Sequence, residues 1–167
     1  VFIKSIIILL SAIIFSIAFA EDKKYLPSSL VQEPEILIFV SFSMPEQSLK
    51  LWAEQASKIN GKLLLRGFLE NSWLRTTTKV QTLFDNNDVE LFIDPEAFER
   101  FDIQTVPAVV VTEPDNCRTE SCLLPSFDIV AGDTSVEDAL KAILNKGSPS
   151  GKLRAQKLLQ RYRVSHD

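Results

Sequence analysis

The chain has 167 residues, 46% of them hydrophobic and 24% charged, with 18 Lys and Arg against 22 Asp and Glu for a formal net charge of −4. That length fits one domain with a core of its own. The hydrophobicity excludes a disordered chain, and the acidic balance argues against a general nucleic-acid binder. The one histidine, His166, stands beside the last residue. Ser–His–Asp, Cys–His and His-based metal mechanisms therefore lack their central residue, and nothing in the sequence calls for a metal or another cofactor.

At the amino end Lys4 precedes an apolar stretch from Ser5 to Phe19, and Ala18-Phe19-Ala20 is followed by Glu21-Asp22-Lys23-Lys24. A basic residue, a short apolar run and an A-x-A site predict a cleaved signal peptide over residues 1–20. The run is shorter than the roughly 20 apolar residues a bilayer span needs; an uncleaved anchor is the alternative. No Cys sits at the cleavage point, so a lipoprotein signal is not indicated. Export would place the rest in an oxidising compartment, the periplasm in a bacterium. Residues 21–35 are polar, carry Pro27 and Pro34, and read as an extended leader or partner-binding arm.

Residues 36–145 read as the folded domain. Ile36 to Phe42 is a continuous apolar run with β-branched and aromatic residues, the pattern of a central strand buried on both faces. A helix follows, with Ser43 as N-cap, Pro45 in the first turn and Glu46 at the capping-box position. Leu49, Trp52, Ala53, Ala56 and Ile59 recur at helical spacing, and Asn60-Gly61 ends it with Gly61 as left-handed cap. Lys62–Phe68 is a second strand, and Ser72–Phe84 a second helix with Trp73, Leu74, Val80, Leu83 and Phe84 inward. After a turn at Asp85–Asp88 come a short strand, Val89–Ile93, and a short helix capped by Asp94-Pro95 and carrying Phe98 and Phe101. Trp52, Trp73, Phe98 and Phe101 are all expected in the core. Pro107–Val111 and Phe127–Val130 form a hairpin, and Thr134 with Glu137 boxes the start of a helix carrying Val136, Ala139, Leu140, Ile143 and Leu144. This order predicts an α/β fold, a mixed sheet flanked by helices.

The tail differs in kind. Gly147-Ser-Pro-Ser-Gly151 reads as a flexible break, and residues 146–167 hold six Lys and Arg against Asp167, whereas residues 21–145 hold 11 against 21 Asp and Glu. A solvated basic helix over Lys152–Arg163 is expected, and an anionic membrane surface or an acidic partner is what its charge would touch.

The segment Phe101-Asp-Ile-Gln-Thr-Val-Pro-Ala-Val-Val-Val111 resembles the thioredoxin superfamily, in which such a proline is cis and faces the start of the first helix. Local sequence alone also fits a trans proline at a strand start; with the topology, Pro107 is expected cis. Where that superfamily's oxidoreductases carry Cys-x-x-Cys, this chain has Ser41-Phe-Ser-Met-Pro-Glu-Gln-Ser48, so thiolate chemistry at that position is excluded. Phe39-Val-Ser-Phe-Ser-Met-Pro-Glu-Gln-Ser-Leu49, Leu65-Arg-Gly67, Phe92-Ile-Asp-Pro95, Val106-Pro107 and Ala131-Gly-Asp133 resemble, in order, the TrbC family of type-F conjugative-transfer pilin assembly proteins. The likeness covers roughly Ile36 to Leu144. It implies a thioredoxin-like fold and a non-enzymatic periplasmic role in assembling the conjugative pilus and secretion channel through protein–protein binding, with TraW-type periplasmic proteins as partners; no nucleic-acid partner is expected, from the acidic charge balance.

Three site expectations remain. With Pro107 cis, the Val106 backbone beside Ser43, Met44 and Pro45 would form a partner-binding groove for an extended segment; the same turn also reads as a plain capped helix, with Met44 packed inward. Arg66 at a strand end and Asp94 at a helix start are expected to form a structural ion pair. Cys117 and Cys122 enclose Arg-Thr-Glu-Ser, and in an oxidising compartment they read as a structural disulfide. The competing reading is a periplasmic thiol–disulfide oxidoreductase or isomerase using those two cysteines.

Overall fold

In the computed structural model, which describes residues 35–84, 89–114 and 125–164, the apolar run after Pro34 becomes the central strand β1 (Glu35–Val40). Ile36, Ile38 and Val40 are buried on one face, Leu37 and Phe39 on the other, as a run without polar alternation requires. Then follow α1 (Glu46–Ile59), β2 (Lys62–Leu65), a 3-10 turn at Leu69–Asn71 and α2 (Trp73–Phe84). The second half contains β3 (Glu90–Ile93), α3 (Pro95–Arg100), β4 (Ala108–Thr112), β5 (Phe127–Ala131), α4 (Val136–Lys146) and α5 (Pro149–Val164).

The five strands are ordered β3-β2-β1-β4-β5. β2 runs parallel to β1 and β3, with Phe39 opposite Leu64 and Leu64 opposite Phe92. β4 runs antiparallel to β1 and β5, with Phe39 opposite Ala108 and Val110 opposite Ile129. A βαβ unit joined to a ββα unit across the β1–β4 seam is the thioredoxin-like α/β arrangement, as the sequence predicts. One face of the sheet carries the larger core, with buried side chains from α1, α2, α4 and α5. The other is covered by α3 and the segment after it, where Phe39 meets the Phe98 ring edge-on at 4.8 Å.

Leu49, Trp52, Ala53, Ala56 and Ile59 of α1 are all buried, as their spacing requires. The helix starts later than expected. Pro45, not Ser43, occupies the cap position (φ −56, ψ 139) with no side-chain cap, and Glu46 reaches across to Lys79 of α2. A cap at Ser43 would make Met44 helical, and the residue before a proline is sterically driven out of the α region. At the other end Asn60, not Gly61, takes the left-handed conformation (φ 53, ψ 41), which Asn tolerates better than other non-glycine residues. Gly61 is small for another reason: a Cβ there would lie 3.1 Å from Ile36 Cγ2. The box before α4 is also shifted by one residue, Ser135 accepting the Asp138 N–H at 3.0 Å.

Two core expectations fail. Trp73 and Leu74 are 67% and 74% exposed, because the first turn of α2 projects past the packed stripe that Thr76, Leu83 and Phe84 bury. Thr76 is satisfied there by accepting the Leu69 N–H and donating to the Ser72 carbonyl, each at 2.8 Å.

The solvated basic tail is corrected more thoroughly. α5 buries Ala155, Leu158, Leu159 and Tyr162 in the main core. The expected break is a hydrogen-bonded helix start: the Ser148 N–H and Oγ–H each donate to the Asp128 carboxylate at 2.7 Å, and Ser148 Oγ accepts the Gly151 N–H at 2.9 Å. Arg154 is buried with the stripe. Its guanidinium donates to Glu113 at 2.8 Å, the Ser126 carbonyl at 2.9 Å and the Ser126 hydroxyl at 3.0 Å. The apolar stripe of α5 is thus largely consumed internally, although Leu153 and Val164 stay exposed on the same helix. No helix among the described residues is long and apolar enough to cross a membrane. The signal peptide, the leader before residue 35, the Asp85–Asp88 turn, Cys117, Cys122 and His166 lie outside the described residues.

Candidate functional site

A cleft of about 620 Å³ opens at the amino end of α1, between the β1–α1 turn, the end of β2, Phe98 of α3 and the segment leading into β4. The turn closes on itself, with Met44 N–H donating to the Ser41 carbonyl at 3.0 Å and the Ser41 and Ser43 hydroxyls bonded at 2.9 Å. The Val106–Pro107 bond is cis, as expected, and the Pro107 carbonyl accepts the Gly132 N–H at 2.9 Å, tying this segment to the end of β5. Gly132 has φ +125, where an L side chain would be strained.

Of the five residues expected to form a groove, Ser43 and Val106 line this cleft, whereas Met44, Pro45 and Pro107 do not. Met44 is half-buried against the main core, and its sulfur accepts the Ser41 N–H at 3.5 Å. Pro107 is buried and Pro45 is exposed at the start of α1. The inward Met44 is the alternative the sequence left open.

The expected Arg66–Asp94 ion pair does not form. Arg66 Nη2 donates to the Ile103 carbonyl at 2.7 Å, and the guanidinium lies 4.9 Å from the centre of the Phe98 ring. Asp94 instead caps α3 by accepting the Ala97 N–H at 2.9 Å. The competition is physical: the helix start needs an acceptor for its open N–H groups, and a planar guanidinium is well served by a carbonyl and a ring face. Arg66 therefore lines the cleft, a placement that no residue type or spacing announces. Lys79 hydrogen-bonds Glu46 in the first turn of α1 and holds its carboxyl below the usual carboxylate range, aided by the charges of Lys79 and Lys50. This fixes a negative charge beside the helix start, where the macrodipole favours one.

A second, larger groove of about 810 Å³ shares Arg66, Gly67 and Phe68 with the first and runs between α2 and β3. The Phe68 and Trp73 rings meet edge-to-face, 5.7 Å apart, at its mouth. Helical spacing alone assigned Trp73 to the core; the polar run Glu70-Asn71-Ser72 directly before it was the available signal that this turn lies outside. Among the described residues, no group of three or more His, Cys, Asp or Glu could hold a metal ion. The cleft presents hydroxyls, one guanidinium, backbone groups and apolar walls, which suit the capture of a peptide segment.

The fold and site define a thioredoxin-like domain whose β1–α1 turn, Ser41-Phe-Ser-Met-Pro45, carries no cysteine. Residues 38–143 match the model of the type-F conjugative transfer system pilin assembly proteins, the TrbC family, and the chain belongs to that family. It is 32% identical over 112 residues to the periplasmic protein TrbC of Escherichia coli (strain K12), across 66% of this chain and 48% of the relative. The chain thus spans about half the length of the curated relative it matches. Two solved structures are more distant. MTB dsbF is 12% identical with a TM-score of 0.44, over 83% of this chain and 84% of its own. A secreted Mycobacterium tuberculosis disulfide oxidoreductase homologous to E. coli DsbE is 13% identical with a TM-score of 0.41, over 82% and 85%. Both fall below what a fold assignment needs; strand order and register carry the fold instead.

Proposed function

We propose that the chain is a non-enzymatic, periplasmic assembly factor for the type-F conjugative pilus and its secretion channel, which acts by binding other envelope proteins, TraW-type periplasmic proteins first among them. Membership of the pilin assembly family is the observation that carries this reading. The cleft supports it, since serine hydroxyls and an arginine occupy the place a thiolate nucleophile would need. On this reading the partner segment lies between Ser43 and Val106, over the Arg66 guanidinium, while Met44 and Pro107 hold the walls from behind. The periplasmic name of the E. coli relative and the signal-like amino end agree on the compartment.

The test is a donor strain lacking the gene, complemented by wild type and by the Cys117→Ser/Cys122→Ser double variant, scored for surface pili and transfer frequency. Loss of pili and full rescue by both alleles is the expected result. Rescue by wild type alone, at equal protein levels, would move the function to thiol–disulfide chemistry at Cys117 and Cys122. Unchanged pili in the deletion strain would refute the assembly role.

A further inference from the structure

The groove between α2 and β3 has features that the first cleft lacks. β3 is the outermost strand on its side of the sheet, so among the described residues its outer backbone groups have no strand partner. Such an edge is a ready template for another strand. Leu91 and Ile93 turn toward the larger core and are only half-buried, and they line the groove together with Thr77 and Val80 of α2. Phe68, Trp73 and Phe92, which also line it, are 44%, 67% and 45% exposed, so the groove is walled by large apolar side chains that a partner could cover. Among the described residues Arg66 is the one charged side chain on the lining. One of its N–H groups is taken by the Ile103 carbonyl, and no described carboxylate pairs with it. Glu70, the nearest acid along the chain, is held by Arg75.

We propose that this groove is a second docking surface, which takes an extended strand of a partner protein. The strand pairs with the outer edge of β3, sends alternate apolar side chains under α2, and sets one carboxylate on Arg66. Main-chain pairing supplies affinity without sequence demands, and the apolar groove with its single cation supplies the selection. Because side chains alternate along a strand, the partner segment reads as apolar residues at every second position with an Asp or Glu at one end. The assignment rests on the sheet edge and the lining charge, not on the conjugative role.

Trp73 makes the test local, since the only other tryptophan, Trp52, is 2% exposed. The probe is a blocked nonapeptide of alternating valine and threonine with one Glu near its carboxyl end. It is compared with its Glu→Gln analogue and with an analogue N-methylated along the pairing edge. Added to the full chain, the Glu peptide should blue-shift Trp73 emission and shield it from acrylamide. It should bind about tenfold or more tightly than either analogue, the loss expected for one charge-assisted hydrogen bond or for the main-chain pairing. Arg66→Gln should erase the Glu-over-Gln preference, and Thr77→Lys should block both peptides while leaving the melting temperature close to wild type. Equal binding of all three peptides, an Arg66→Gln protein that keeps the preference, or binding that leaves Trp73 unshielded would each overturn the proposal. So would shielding of Trp73 by raising the protein concentration alone, which would make a second copy of this chain the occupant.

Discussion

Leu158→Ala asks whether α5 is part of the domain. Leu158 is 0% exposed and sits in the core shared by β1, β4, α1 and α4. Truncation removes three carbons, about 2.4 kcal/mol of lost transfer energy at about 0.8 kcal/mol per methylene. Fully buried neighbours in that core, such as Val109, Leu140 and Ala155, can close only part of the space, and a residual cavity raises the expected loss to about 3–5 kcal/mol. Leu153, on the same helix but 66% exposed, is the internal control and should change stability by no more than about 0.5 kcal/mol. Urea unfolding followed by far-ultraviolet circular dichroism measures both. With a slope of about 1–3 kcal/mol per molar, the midpoint of Leu158→Ala should fall by roughly 1–5 M at equal slope. A loss below about 1 kcal/mol, matching Leu153→Ala, would mean that α5 is the detached basic helix its composition suggests.

Three further outcomes follow from the same architecture. Gly151→Ala places a Cβ 1.7 Å from Asp128 Oδ2, so the Ser148–Asp128 helix start must move; a loss of about 1–3 kcal/mol is expected in thermal unfolding, and Asp128→Ala in the same chain should recover part of it. Arg154→Met removes the guanidinium that joins Glu113, Ser126 and Ser150. Because Glu113 is half exposed and can turn to water, the cost should be about 1–3 kcal/mol, chiefly from the Ser126 carbonyl, which keeps only the long 3.4 Å hydrogen bond from the Thr112 hydroxyl, read as a drop in urea midpoint. Glu46→Gln probes pH dependence. Its carboxyl is lowered by Lys79, so its small contribution is whole above the ordinary carboxylate range and fades as pH falls through the lowered value. Wild type and variant should therefore differ slightly in melting temperature at neutral pH and converge in strong acid; a difference that grows on acidification would refute the pairing.

The fold was legible where one cause acts alone. β1 is apolar on both sides and lies in mid-sheet; α1 shows five apolar residues at helical spacing and buries all five. What failed depends on which neighbours exist. Periodicity groups Trp73 with Leu83, but only the tertiary arrangement shows that, among the described residues, the first turn of α2 meets little beyond the Phe68 ring. In α5 the buried stripe passes through Arg154, and a charge counted as surface hides a helix that is otherwise apolar at Ala155, Leu158, Leu159 and Tyr162. The site behaved likewise. Ser43, Val106 and the cis Pro107 could be placed from the resemblance, but the partners of Arg66 are a backbone carbonyl and a ring 37 and 32 positions further along the chain, which residue types cannot announce.

The docking of α5 also fixes where the molecule can be held. Arg161 donates to the Ile59 carbonyl at 3.5 Å, so the last turns of α5 lie beside the carboxyl end of α1, whereas the first cleft opens at the amino end of α1. Fourteen helical residues at about 1.5 Å each separate the two by roughly 21 Å. A label, surface anchor or fused domain attached beyond α5 would stand at the pole opposite the cleft. Immobilising the protein by that end would leave the Ser43–Val106 face turned outward, toward whatever is to be captured.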